Sequence, residues 1–267
     1  MTDRCRALLP LRTMPGLKKL TLANFGFDDV NTLTSCLSTQ LQYLNLSYVK
    51  MGTMMEWSTS EVDDLVTRLS QLKRLVSLNL AGSASIADRH LRVLLPNLKC
   101  IRCLDVSEEF GNNGTGGHSQ LSDVGLKLIA DNCPKILGLG LNYQQVVTIA
   151  GVRDLLQKCS DMVALEIGGM NVGTEYVEEL VATPRQLLFF LFGAIGFRPN
   201  ASEQLAIQKA IKGTEGRAVV CTVSGGRVDV NLPLKYKERQ EESVAKINKA
   251  NGQEINPVMC NKWDGIL

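Results

Sequence analysis

The sequence has few aromatic residues, only two histidines and almost no excess of charge. Phe, Trp and Tyr make up 5% of its 267 residues, and Lys+Arg stand at 29 against 27 for Asp+Glu. A balance so near neutral offers no footing for nucleic acid or an anionic membrane. Long apolar runs are missing too. The longest, Leu187–Phe197, has 11 residues, whereas a bilayer-spanning helix needs about 20. No transmembrane segment is therefore expected. The N-terminus carries no apolar core of a secretory signal. Arg4, Arg6, Arg12, Lys18 and Lys19 against the single Asp3 leave organelle import open.

Catalytic and metal-binding constellations are also missing. Cys100-x-x-Cys103 is half of a zinc or redox motif, with no second pair and no nearby His. Strand alternation would also separate its two thiols. His90 and His118 are the only imidazoles, and nothing local pairs either with a cysteine nucleophile. Gly111–Gly117 has the glycine content of a phosphate loop without the Lys-Ser/Thr that should follow. No cofactor and no metal is expected. The eight cysteines are scattered, several where a small buried apolar residue fits. That favours reduced thiols in an intracellular, reducing compartment, the cytoplasm first.

What is present is repetition. The strand signature L-x-x-L-x-L occurs as Leu17/Leu20/Leu22, Leu41/Leu44/Leu46, Leu75/Leu78/Leu80 and Ile101/Leu104/Val106. It continues as Ile136/Leu139/Leu141, Met162/Leu165/Ile167 and Leu187/Phe190/Phe192, with Ala218/Cys221/Val223 a weaker eighth. The central positions are 24, 34, 26, 35, 26, 25 and 31 residues apart, the period of a stacked repeat. Helix patterns lie between the strands, as in Leu121–Asn132, Thr148–Leu156 and Thr174–Val181. Ser58-x-x-Glu61 is a capping box for a helix over Glu61–Leu69. One repeat cannot bury enough apolar surface to offset the ordering of its own chain, so only the array is stable.

Leu121–Leu141 (LSDVGLKLIADNCPKILGLGL) resembles, almost throughout, the cysteine-containing and ribonuclease-inhibitor-like leucine-rich repeats. Val147–Ile167 keeps Gly151, Val152, Leu155, Cys159, Met162, Leu165 and Ile167 but has Ile149 for the expected Asp. Ile86–Val106 keeps Asp88, Leu91 and Leu94 but has His90 for Gly. The resemblance covers about residues 15–195. It implies an α/β leucine-rich-repeat solenoid, a right-handed horseshoe with a parallel concave sheet and convex helices. Some family members are substrate receptors carrying an F-box ahead of the repeats. Here the repeats begin by Leu17, so no F-box is expected.

The expected organisation is an N-terminal flank over 1–14, the solenoid with its cap over 15–232, and a charged helix and tail over 233–267. Ala201–Lys212 has helical spacing. Two alternating runs around Gly225-Gly226 predict a β-hairpin cap, which would cover the sheet edge. The tail ends in Trp263, Ile266 and Leu267 and either folds back on the repeats or enters a partner.

Two long loops follow strands. Ser47–Ser60 carries Met51, Met54, Met55 and Trp57, and Ser107–Gln120 carries Phe110 among glycines. Met and Trp in a loop suit a contact surface; tolerated insertion is the plainer alternative. The strand positions between the core leucines would form a weakly polar concave face. It includes Tyr43, Asn45, Asn79, Asp105, Gly140 and Glu166, with Tyr48 and Tyr143 beside it. Phe189 and Leu191 are apolar on that face, either covered by the C-terminal segment or serving as an anchor. The candidate partner-binding residues are thus Tyr43, Tyr48, Met54, Met55, Trp57, Asp105, Phe110, Tyr143, Glu166, Phe189, Leu191 and Trp263.

The function expected is a non-catalytic scaffold that binds protein partners, as a structural subunit of a multi-subunit assembly. The alternatives are an adaptor or substrate receptor in ubiquitin transfer, which the family resemblance implies, and an enzyme with a cryptic site.

Overall fold

The computed structural model describes residues 8–52, 57–83, 85–108, 121–170, 176–183, 187, 189–192, 202, 205, 209, 219–224 and 227–230. After a 3-10 turn at Leu9–Thr13 come β1 (Lys19–Thr21), β2 (Gly26–Phe27), α1 (Val30–Ser35), β3 (Tyr43–Asn45), β4 (Lys50–Met51) and α2 (Thr59–Leu69). Then follow β5 (Ser77–Asn79), α3 (Asp88–Leu94), β6 (Cys103–Asp105), α4 (Asp123–Asn132), β7 (Gly138–Gly140) and α5 (Ile149–Lys158). Last are β8 (Ala164–Glu166), α6 (Val177–Ala182), β9 (Phe189–Phe192), β10 (Val219–Ser224) and β11 (Arg227–Val230).

Strand alternation turns the periodic leucines to one side of a sheet, and their burial joins the strands. The main sheet runs β1-β3-β5-β6-β7-β8-β9-β10-β11. It is parallel as far as β10, and β11 returns antiparallel as the expected hairpin. Leu20, Leu44, Leu78, Leu104, Leu139, Leu165 and Phe190 face one another in register. All seven are buried. Each buried leucine contributes about 2 kcal/mol. The helices lay their own apolar stripes on this leucine side, such as Leu126 and Ile129 of α4 or Val152 and Leu155 of α5. The result is a mixed, leucine-rich-repeat-like α/β fold.

Helix starts follow local chemistry. The Ser58 N–H donates to Glu61 Oε2 at 2.8 Å and Ser58 Oγ accepts from the Glu61 N–H at 3.3 Å, the predicted box. Thr148 Oγ1 accepts from the Gly151 N–H at 3.3 Å. The periodicity missed three elements, one helix and two short strands. α1 is capped by Asp29, which accepts from the Thr32 N–H at 2.8 Å. The two-residue strands β2 and β4 pair in a small second sheet, Gly26 with Lys50 and Phe27 with Met51.

One register differs from expectation. The weak eighth signature centres on Cys221, but Val220 is the partner of Phe190, so Cys221 lies opposite Leu191. Val219, Val220, Cys221 and Val223 leave little alternation, and a one-residue slip moves a strand's side chains to the other face. The expected helix over Ala201–Lys212 and the charged helix and tail over 233–267 lie outside the described residues apart from residues 202, 205 and 209. No helix among the described residues is long and apolar enough to cross a membrane.

Candidate functional site

On the sheet face away from the leucines, register places one row in line: Thr21, Asn45, Asn79, Asp105, Gly140, Glu166 and Leu191. A neighbouring row runs Lys19, Tyr43, Ser77, Cys103, Gly138, Ala164 and Phe189. The ends and the middle of these rows differ. Lys19 and Thr21 are exposed and Tyr43 is half-buried. The Lys19 ammonium sits 4.8 Å from the centre of the Tyr43 ring, a cation–π contact. In the middle, Asn45, Asn79, Asp105 and Glu166 are 1–3% exposed. These positions are not the open polar surface that alternation implies.

Local hydrogen bonds explain the closed middle. Asn45 Oδ1 accepts from the Ser47 N–H at 2.9 Å, Asn79 Oδ1 from the Ala81 N–H at 2.9 Å and Asp105 Oδ1 from the Ser107 N–H at 3.0 Å. Each side chain folds along its own strand end as a short turn mimic. Gly140 leaves room for its neighbour: a Cβ there would come within 2.3 Å of Asp105 Oδ1. Asn142 then bridges onward. Its amide donates to Glu166 Oε2 and its Oδ1 accepts from the Gly168 N–H at 2.8 Å. Among the described residues, Asn45 Nδ2 and Asn79 Nδ2 are buried without a hydrogen-bond partner.

Beyond the strands lies a row of turns. Asn24, Tyr48, Gly82, Tyr143 and Gly169 all have positive φ, between 56° and 76°. Each stands four residues after its central leucine. Two tyrosines in this glycine-favouring conformation are strained. Each ring packs on the glycine of the following turn, where a Cβ would meet it at 2.5 Å (Tyr48 on Gly82) or 2.1 Å (Tyr143 on Gly169). Both tyrosines are half-buried.

The first long loop is less free than its composition suggests. Met51 belongs to β4 and is 1% exposed. Trp57 donates its indole N–H to the Val49 carbonyl at 3.0 Å and packs against the core. Met54, Met55, Phe110 and Trp263 lie outside the described residues. Phe189 and Leu191 are in β9, with side chains outside the described set. The structure therefore gathers Tyr43, Asp105 and Glu166 on one face and Tyr48 and Tyr143 on its rim, with Trp57 turned inward.

Among the described residues, His90 and the buried cysteines are engaged structurally. Burial pushes the Cys103 thiol up to about 12, and those of Cys133 and Cys159 up to about 11, which keeps these three thiols protonated at neutral pH. Cys100 is exposed and Cys103 buried, so the pair does not converge as a motif. His90 is 3% exposed with both ring nitrogens bonded.

Joints between successive helices are the feature least visible in the sequence. Asp88, at the start of α3, accepts from the Ser122 N–H at 2.9 Å and from the Ser122 hydroxyl at 2.6 Å. Asp123, at the start of α4, holds Thr148 the same way, at 2.8 and 2.6 Å. Each carboxylate thus clamps the residue that caps the next helix. The clamps help explain the helix glycines: a Cβ on Gly151 would lie 2.2 Å from Asp123 Oδ1, and one on Gly125 2.5 Å from Asp88 Oδ1 and 2.3 Å from Leu121 Cδ1. Ahead of α3 the capping residue is Ala87, which has no hydroxyl. His90 fills the gap, its Nδ1 accepting from the Ala87 N–H at 2.9 Å and its Nε2 lying 2.9 Å from Asp63 Oδ1 on α2. The departures from the repeat pattern, Ala87 and His90 at the capping and glycine positions, were the available signal.

No protein-family model matches the chain, and no curated protein matches it. Among solved structures, it is similar to the C-terminal domain of tropomodulin from Caenorhabditis elegans. That likeness has 15% identity and a TM-score of 0.39, and it covers 58% of this chain and 94% of that one.

Proposed function

We propose that the chain is a leucine-rich-repeat solenoid of the cysteine-containing, ribonuclease-inhibitor-like subclass, and that it acts as a non-catalytic protein-binding scaffold, a structural subunit of a larger assembly. The subclass reading is supported by Cys133 and Cys159, buried at the ends of α4 and α5 in equivalent places, and by the glycines that admit the carboxylate clamps. The binding reading is carried by the strand register. In-register strands rule one face with rows of side chains that run the length of the array, a geometry that suits an extended macromolecular surface. Contact falls on the accessible margins, Lys19, Thr21 and Tyr43 at one end and Tyr48 and Tyr143 along the rim. The buried reduced thiols fit a reducing compartment.

The test is affinity purification of the tagged full-length protein from its native cells at moderate salt, with co-purifying proteins identified and their stoichiometry measured. A fixed set of partners, weakened by Lys19→Glu with Tyr43→Ala, is the expected result. Recovery as a lone monomer overturns the reading. A ubiquitin-ligase core with changing clients would assign the adaptor role instead.

A further inference from the structure

Three joints connect α2 to α3, α3 to α4 and α4 to α5, and among the described residues only the first contains an imidazole. At the other two, a carboxylate takes the N–H and hydroxyl of Ser122 or Thr148 directly. At the first, the bond from Ala87 to Asp63 passes through His90. A backbone N–H can only donate, so Nδ1 must be an acceptor and carry no proton. The ring is then the neutral tautomer with its proton on Nε2, donated to Asp63.

We infer that the α2–α3 joint is a proton-operated seam: a proton taken from solvent onto His90 Nδ1 makes that atom a donor, expels the Ala87 N–H and releases the first turn of α3, while the joints at Ser122 and Thr148 stay closed. The ring keeps its attraction for Asp63, so it moves toward α2 and away from the start of α3. Ala87 is 4% exposed, so its freed N–H reaches water only if that turn opens.

The surroundings set the direction. Burial is the larger influence and, with Arg89 beside it, holds His90 below the ordinary imidazole range; Asp63 opposes both. Arg89 Nε itself lies 3.6 Å from the same Asp63 oxygen. On the other side of α3, Asp88 is committed to Ser122, and no charged group of α4 acts on the ring. The closed seam is therefore the neutral-pH state.

The test is hydrogen exchange read by mass spectrometry on the full chain at about pH 7.5 and about pH 5.5, corrected for the intrinsic pH dependence of exchange. Acid should cost the peptides covering residues 86–94 about tenfold in protection, with 123–132 and 149–158 unchanged. His90→Gln keeps an acceptor for Ala87 and a donor for Asp63 but does not titrate, so it should abolish the acid response. It also separates His90 from His118, the second imidazole of the sequence. An equal loss in all three helices, no loss at all, or the same loss in His90→Gln overturns the inference. Should that variant not fold, imidazole nitrogen NMR of the wild-type chain decides. A proton appearing on Nδ1 together with loss of Ala87 protection is expected, and a protonated ring beside a still-protected Ala87 overturns the inference.

Discussion

The joint from α2 to α3 and the joint from α4 to α5 fix the same kind of helix start by different chemistry. In the second, Asp123 reaches Thr148 directly, and Gly151 leaves the space for it. In the first, a buried aromatic ring bridges Asp63 to a backbone N–H that has no hydroxyl beside it. Thr148 is exposed, so water can replace a lost clamp there; Ala87 is buried, and water cannot take the place of His90. Equivalent positions in a repeat therefore differ in how much depends on them. The difference is set by solvent access to the donor rather than by the number of hydrogen bonds.

Removing the ring should show this most strongly. His90→Ala leaves a cavity and an orphaned buried N–H, and should cost about 3 kcal/mol in urea unfolding. A loss as small as that of a surface substitution would mean the seam is already open. Next comes Gly151→Ala, which drives a methyl into Asp123 and breaks both bonds to Thr148. A helix gains from replacing glycine by alanine, so the net loss should be about 1–2 kcal/mol. A stabilised variant would show that the clamp contributes nothing.

The third prediction concerns pH. The folded His90 pKa is lowered, chiefly by burial, so below the ordinary imidazole value the unfolded chain binds more protons than the folded one. Stability from this group is complete above that value and falls as pH drops through it, until the lower folded value is reached. The slope is at most about 1.4 kcal/mol per pH unit, and denaturant midpoints across that range should become flatter in His90→Gln. Smallest of all are the exposed bridges between helices, Lys158 to Asp131 and Arg153 to Glu179. Lys158→Ala and Arg153→Ala should leave the melting temperature unchanged within error at physiological salt.

Much of the frame was legible in the residues. The leucine period located β1, β3 and β5–β9, because alternation along a strand is a local property that each segment carries by itself. The Ser58–Glu61 box and the helices α2, α4 and α5 were legible for the same reason. β10 shifted by one residue where its apolar run offered no alternation. Trp57 and Met51, loop residues by composition, turned inward because β4 pairs with β2 and draws that loop onto the core.

Sequence alone thus determined the repeat, its core side and the hairpin. Only the tertiary structure decided what one repeat does to the next. It closed Asn45, Asn79, Asp105 and Glu166 into the middle of a face that alternation leaves open, and laid Tyr48 and Tyr143 on the glycines of the following turns. It also joined Asp88 to Ser122 and Asp123 to Thr148 across 34 and 25 residues. Such contacts depend on how neighbouring units stack, and the physical information for them lies in pairs of repeats rather than in any one of them.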